Sequence, residues 1–134
     1  TEKYFLTYND NSNAYDKFIK VLVKSVEKYS DFQTIIYKKN NIDNTFVERN
    51  KNILNEKKGG GYWLWKPYVT KKTLDKMNDN DILVYADAGC FMNKDGKARL
   101  LEYFDILNAN ETIGNISFQM DHLEELFTKM DIFF

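Results

Sequence analysis

The sequence predicts an α/β domain, with a mostly parallel central sheet flanked by helices. Three observations lead there. Residues 3–37 read as strand, helix and strand in turn. The apolar run Ile82-Leu83-Val84-Tyr85-Ala86 has the look of a strand covered on both faces, and it ends in Asp87 followed by small residues. Helical periodicity recurs between and after these strands. At 134 residues, 43% hydrophobic and 29% charged, the chain suffices for one soluble globular domain over 1–134 with a real core.

Lys3 to Tyr8 is rich in β-formers and reads as the opening strand, closed by the turn residues Asn9 to Asn13. In a doubly wound sheet the loop after the first strand faces the ligand crevice, which makes Thr7, Tyr8 and Asn9 candidates to touch a ligand. An ordinary strand-to-helix turn is the equal alternative. Phe18, Leu22, Val23, Val26 and Tyr29 repeat at helical spacing over 14–29 and predict a helix covering the core. Thr34 to Tyr37 is a short β-branched and aromatic strand, so the unit should be parallel and right-handed. Residues 43–55 suggest one helix through Phe46, Val47, Asn50, Ile53 and Leu54, with Asp43 or Asn44 as its cap.

Gly59-Gly60-Gly61 interrupts this pattern. Three glycines have no side chains to hold them, so the join should be mobile or closely approached by something. A pocket lip and a plain linker are both open readings. Next come Tyr62-Trp63-Leu64-Trp65-Lys66-Pro67, which hold both tryptophans and the only proline. Pro67 predicts a helix from 67 to 77 with Lys66 just before its start, where a cation and free backbone donors can hold a diphosphate. Val69, Thr70, Thr73, Leu74 and Met77 should be its buried stripe. A surface lysine beside two core tryptophans is the plain alternative.

Ile82 to Ala86 is the expected central strand. Asn93-Lys94-Asp95-Gly96 is a turn signal, and Leu100, Leu101, Phe104 and Leu107 mark a helix over 97–108. Ile113, Ile116, Phe118 and Met120 alternate loosely and suggest a strand over 112–120. Leu123, Leu126, Phe127, Met130 and Phe133 suggest a closing helix, with Asp121 and Glu124 spaced as a capping box.

The pattern Gly-Tyr-Trp-Leu-Trp-Lys-Pro, a short helix, then a strand ending Tyr-x-Asp-Ala-Gly-Cys resembles a family of glycosyltransferases with the Rossmann-like GT-A fold, found in capsule, surface-glycan and viral glycan gene sets. The likeness extends weakly to the first strand and to Phe118 through Phe133. It implies transfer of a sugar from a nucleotide-sugar donor to a glycan or protein acceptor, as in polysaccharide biosynthesis. Asp87 would be the main donor-site acid and the ligand of Mg²⁺ or Mn²⁺. Thr7, Tyr8, Asn9, Tyr62, Trp65, Lys66, Asp87, Ala88 and Gly89 would line the nucleotide-sugar site. Glu124 aligns as the catalytic base candidate, among Asp121, Glu125 and Asp131. Such enzymes hold the metal with Asp-x-Asp, because a hard cation needs carboxylate and phosphate oxygens. Here the motif is Asp87-Ala88-Gly89, without the second acid; Asp95 is a candidate replacement or simply a turn former. Family members are usually longer, so the chain is expected to be a compact version or the donor-binding portion of a longer enzyme. A catalytically silent binding domain, or an interaction module with an aromatic surface, are the competing readings.

Composition narrows the rest. A net charge of −1 provides no global attraction to nucleic acid. One cysteine excludes an internal disulfide and a cysteine-built zinc site, and suits a cytoplasmic location. One histidine excludes a histidine-rich metal centre. No apolar run reaches the ~20 residues of a membrane span.

Overall fold

The computed structural model describes residues 1–110, 112–119, 121 and 123. Three parallel strands, β1 (Lys3–Asn9), β2 (Gln33–Lys38) and β3 (Ile82–Tyr85), form a sheet in the order β2-β1-β3. Tyr4 pairs with Gln33 on one side of β1 and with Leu83 on the other. The helices are α1 (Asn13–Tyr29), the short α2 (Asn44–Arg49) and α3 (Lys51–Leu54), the single turn α4 (Gly59–Tyr62), α5 (Trp65–Leu74) and α6 (Lys97–Ala109). Mixed helix and parallel strand is therefore the architecture, as the sequence predicts.

Alternation along β1 sorts the core into two halves. Phe5 joins Leu22 and Val26 of α1, Phe32, Ile82 and Phe104 of α6. Leu6 and Tyr8 join Ile42 with Trp65 and Val69 of α5, and Phe46 and Val47 of α2 pack against them. The sheet is thus covered on both faces by different helices. Asp43, just before α2, ties that helix to α5: its carboxylate accepts from Lys72 and from the Tyr68 hydroxyl, which hold it below the usual carboxylate range.

Several expectations are corrected. The central strand is β1 and not β3, which has no second strand neighbour among the described residues. The buried face of α1 is Ile19, Leu22 and Val26, and Phe18 is exposed. The expected helix over 43–55 breaks at Asn50, whose backbone (φ −117°, ψ 19°) leaves the helix and whose side chain donates to the Phe46 carbonyl. An Asn in mid-helix competes for backbone partners in this way. Residues 113–119 form no strand. Loose alternation there lacks the hydrogen-bonded neighbour that a strand needs. The closing helix falls almost wholly outside the described residues.

Helix α5 starts at Trp65, two residues before the expected Pro67. Proline at the third helical position costs little, because the first four N–H groups have no intrahelical partner anyway. Its buried residues are Trp65, Val69 and Thr73, whereas Leu74 is exposed. The bias of Lys66 away from helix is overcome by the packing of its neighbour Trp65 on Tyr8, with ring centroids 3.9 Å apart and planes 13° from parallel.

The glycine triplet is neither a linker nor ordinary helix. Gly59, Gly60, Gly61, Tyr62 and Trp63 have φ of 60°, 57°, 97°, 49° and 57°. Five successive residues thus turn left-handed, which costs a non-glycine residue roughly 1–2 kcal/mol. A Cβ on Gly61 would stand 2.7 Å from Leu54 Cα, and one on Gly59 2.4 Å from the Trp63 ring. Close approach is thus observed at Gly59 and Gly61, while Gly60 has only ordinary contact at 3.7 Å.

Candidate functional site

The carboxyl ends of β1 and β3 are adjacent, while β2 lies on the other side of β1. In open α/β sheets this is the point where a crevice opens, because chains leave neighbouring strands toward opposite faces. A cleft of about 320 Å³ lies there. It is lined by Tyr8 and Asp10 after β1, Tyr15 of α1, and Lys57, Gly59, Gly60, Trp63 and Trp65 from the left-handed turn and the start of α5. Asp87, Ala88 and Gly89 complete it.

Asp87 is the polar centre. Lys66 Nζ is 3.1 Å from its Oδ1 and donates to Oδ2 at 3.2 Å. The Tyr85 hydroxyl donates to Oδ1 at 2.8 Å. Lys66 Nζ also lies 5.5 Å from the centre of the Tyr85 ring and 5.8 Å from that of Trp65, within the range of cation–π attraction. The Asp87 side chain is 59% exposed and that of Lys66 36%, so the pair faces solvent without being buried. Burial, the hydrogen bond to Asp87 and that residue's charge all push the Tyr85 phenol far above the ordinary tyrosine range. Burial, then the charge of Asp10, push Tyr8 up to about 12. Both phenols therefore stay neutral at any ordinary pH.

The aromatic wall is held by the left-handed turn. The Trp65 indole N–H donates to the Gly59 carbonyl at 3.0 Å, which fixes the ring that stacks on Tyr8. Trp63, 46% exposed, stands beside it with its ring over Gly59.

Of the residues singled out from sequence, Tyr8, Trp65, Asp87, Ala88 and Gly89 line one cleft, and Lys66 joins them through Asp87. Thr7 and Asn9 do not reach it with their side chains. Thr7 is fully buried, and Asn9 is 3% exposed, its amide donating to Asp16 and its carbonyl accepting from the Asn11 N–H. Tyr62 is exposed outside the lining, and Trp63 takes the place expected of it. Asp95 sits in the turn Lys94–Gly96, where its N–H donates to Asn93; that is the turn-former reading. Glu124 lies outside the described residues. Sequence reasoning missed Asp10, Tyr15, Lys57 and Tyr85. A period-two signal existed for Tyr85, which precedes Asp87 by two positions, and Asp10 directly follows the strand end.

The fit of a divalent cation to Asp87 is poor in this arrangement. Its two oxygens already accept from an ammonium and a phenol, so an incoming ion would meet a positive charge on that carboxylate, with Asp10 the one other acid lining the cleft among the described residues. Among the described residues no three His, Cys, Asp or Glu side chains converge. No helix among them is long and apolar enough to cross a membrane. Comparisons with protein-family models, with curated proteins and with solved structures found no match.

Proposed function

We propose that the chain is a nucleotide-sugar-dependent glycosyltransferase with a Rossmann-like GT-A sheet, or the donor-binding portion of one. The observation that carries this reading is the meeting of Lys66 and Asp87, 21 positions apart in sequence, beside the stacked Tyr8–Trp65 pair at the strand-order reversal. Flat aromatic faces suit a nucleobase or a sugar ring, and the exposed ones in the lining are Trp63 and Tyr15, set on the buried Tyr8–Trp65 stack. A carboxylate with a free lone pair suits a sugar hydroxyl, and lysines suit a diphosphate. The acceptor would be a glycan or a protein, and Glu124 stays the proposed base for its hydroxyl. A silent nucleotide- or sugar-binding domain is the second reading. It is favoured by the Lys66–Asp87 pairing, which leaves the expected metal ligand occupied.

A melting-temperature panel of nucleoside diphosphates and nucleotide sugars tests the donor site. Ligand at about 100 times its Kd should add roughly 2.7 kcal/mol of stability. If no member of the panel raises the melting temperature, the donor-site reading fails. Release of free sugar from the best binder then separates enzyme from silent domain.

A further inference from the structure

We infer that Lys66, held on Asp87 at the edge of this cleft, joins Lys57 of the lining as its cationic side, so that a nucleoside diphosphate binds there without a divalent metal ion. The inference rests on the donor-site reading above and concerns how that site handles charge. Lys66 is not a swinging surface chain. It starts in the first turn of α5, reaches both oxygens of Asp87 at 3.1 and 3.2 Å, and lies against the rings of Trp65 and Tyr85. Tyr85, from its phenol oxygen, holds the same carboxylate at 2.8 Å. Carboxylate, ammonium and two rings thus form one connected, solvent-facing unit.

A metal ion on Asp87 would have to share the carboxylate with the ammonium or expel it. Sharing sets a double charge against a single one a few ångströms away, and expulsion breaks the ion pair and two cation–π contacts together. An ammonium has three N–H groups, and the carboxylate takes at most two of them. The remaining donor, on a side chain 36% exposed, is available to a phosphate oxygen, with Lys57 lining the same cleft. Asp87 then acts as a positioning residue, aiming the lysine while its remaining lone pair meets a ligand hydroxyl.

Calorimetric titration of ADP, CDP, GDP and UDP into the protein, in EDTA and again in Mn²⁺, tests this. The expected result is one affinity in both buffers. Lys66→Met should bind about tenfold more weakly or worse in EDTA, the loss of one charge-assisted contact, and Lys66→Arg should keep most of the affinity. Electron paramagnetic resonance of Mn²⁺ adds a readout independent of nucleotide. Mn²⁺ alone should stay free with the natural protein, whose Asp87 is held by Lys66 and Tyr85. Nucleotide binding that appears only with Mn²⁺ overturns the inference and leaves the donor site standing. So does bound Mn²⁺ in the natural protein. Binding of no nucleotide in either buffer overturns the donor site and the inference together.

Discussion

Gly61 and Gly60 share a left-handed backbone but differ in their surroundings, and the difference can be measured. A methyl on Gly60 has its nearest neighbour at 3.7 Å, so Gly60→Ala should cost only the conformational strain, roughly 1–2 kcal/mol. On Gly61 the methyl meets the Leu54 backbone at 2.7 Å, an atom that cannot step aside. Gly61→Ala should therefore cost more than Gly60→Ala by urea denaturation; equal losses would mean that the close approach to Leu54 is unimportant. Tyr62 and Trp63 bear this strain without being glycine, and Trp63 is the one that lines the cleft. At this scale the site was half legible. Asp87 could be picked out because a lone acid after an apolar strand is conspicuous, and Lys66 because it precedes a proline. That each would become the other's partner could not be read, since nothing local couples positions 66 and 87. The left-handed turn was also hidden, because a glycine triplet permits it without demanding it.

Helices α1 and α6 cover the same half of the core with unequal grip. Three buried residues anchor α1, whereas Phe104 alone is buried on α6. That ring meets Phe32 edge-on at 5.7 Å and has Lys3 Nζ 5.8 Å from its centre. Phe104→Ala should cost about 3–5 kcal/mol, a large share of the stability of a small domain. Amide hydrogen exchange should show α6 losing protection ahead of α1; equal protection in the variant would refute the single-anchor account. Both helices were visible as periodic stripes, as were β1 and β2 from their β-branched and aromatic content. What periodicity could not supply was the pairing order. A strand's neighbours depend on contacts far away in sequence, so β3, apolar throughout, reads as central from its sequence although β1 holds that place. Likewise the loose alternation over 112–120 reads as a strand, but residues 113–119 form none.

For the molecule as a whole, the buried Tyr8 phenol and the half-buried Tyr85 phenol beside the cleft set an alkaline limit. The Tyr8 phenol ionises near 12 when folded and at 10.0 ordinarily, so between those values the unfolded chain has lost a proton that the folded one keeps. The unfolded state then binds fewer protons, and stability falls as pH rises. It is fully present below pH 10.0 and declines with a slope approaching 1.4 kcal/mol per pH unit, in round terms of about that size, for each such group. Tyr85, raised further, adds to the same loss. Urea denaturation at increasing pH should show the decline, and Tyr8→Phe should flatten it; a flat profile in the natural protein would refute the burial of these phenols. The strand order carries a consequence for how the chain comes into being. Both pairings of the sheet run through β1, whose Lys3 waits for Ile82, 79 positions later. A ribosome adding roughly 5–20 residues per second releases the first strand several seconds before its second neighbour exists. During that interval one edge of β1 stands open, and Phe5, Leu6 and Tyr8 lack part of their cover. β1 is thus made 79 positions ahead of its second neighbour, and the nascent domain carries an open apolar edge until the residues of the cleft come together.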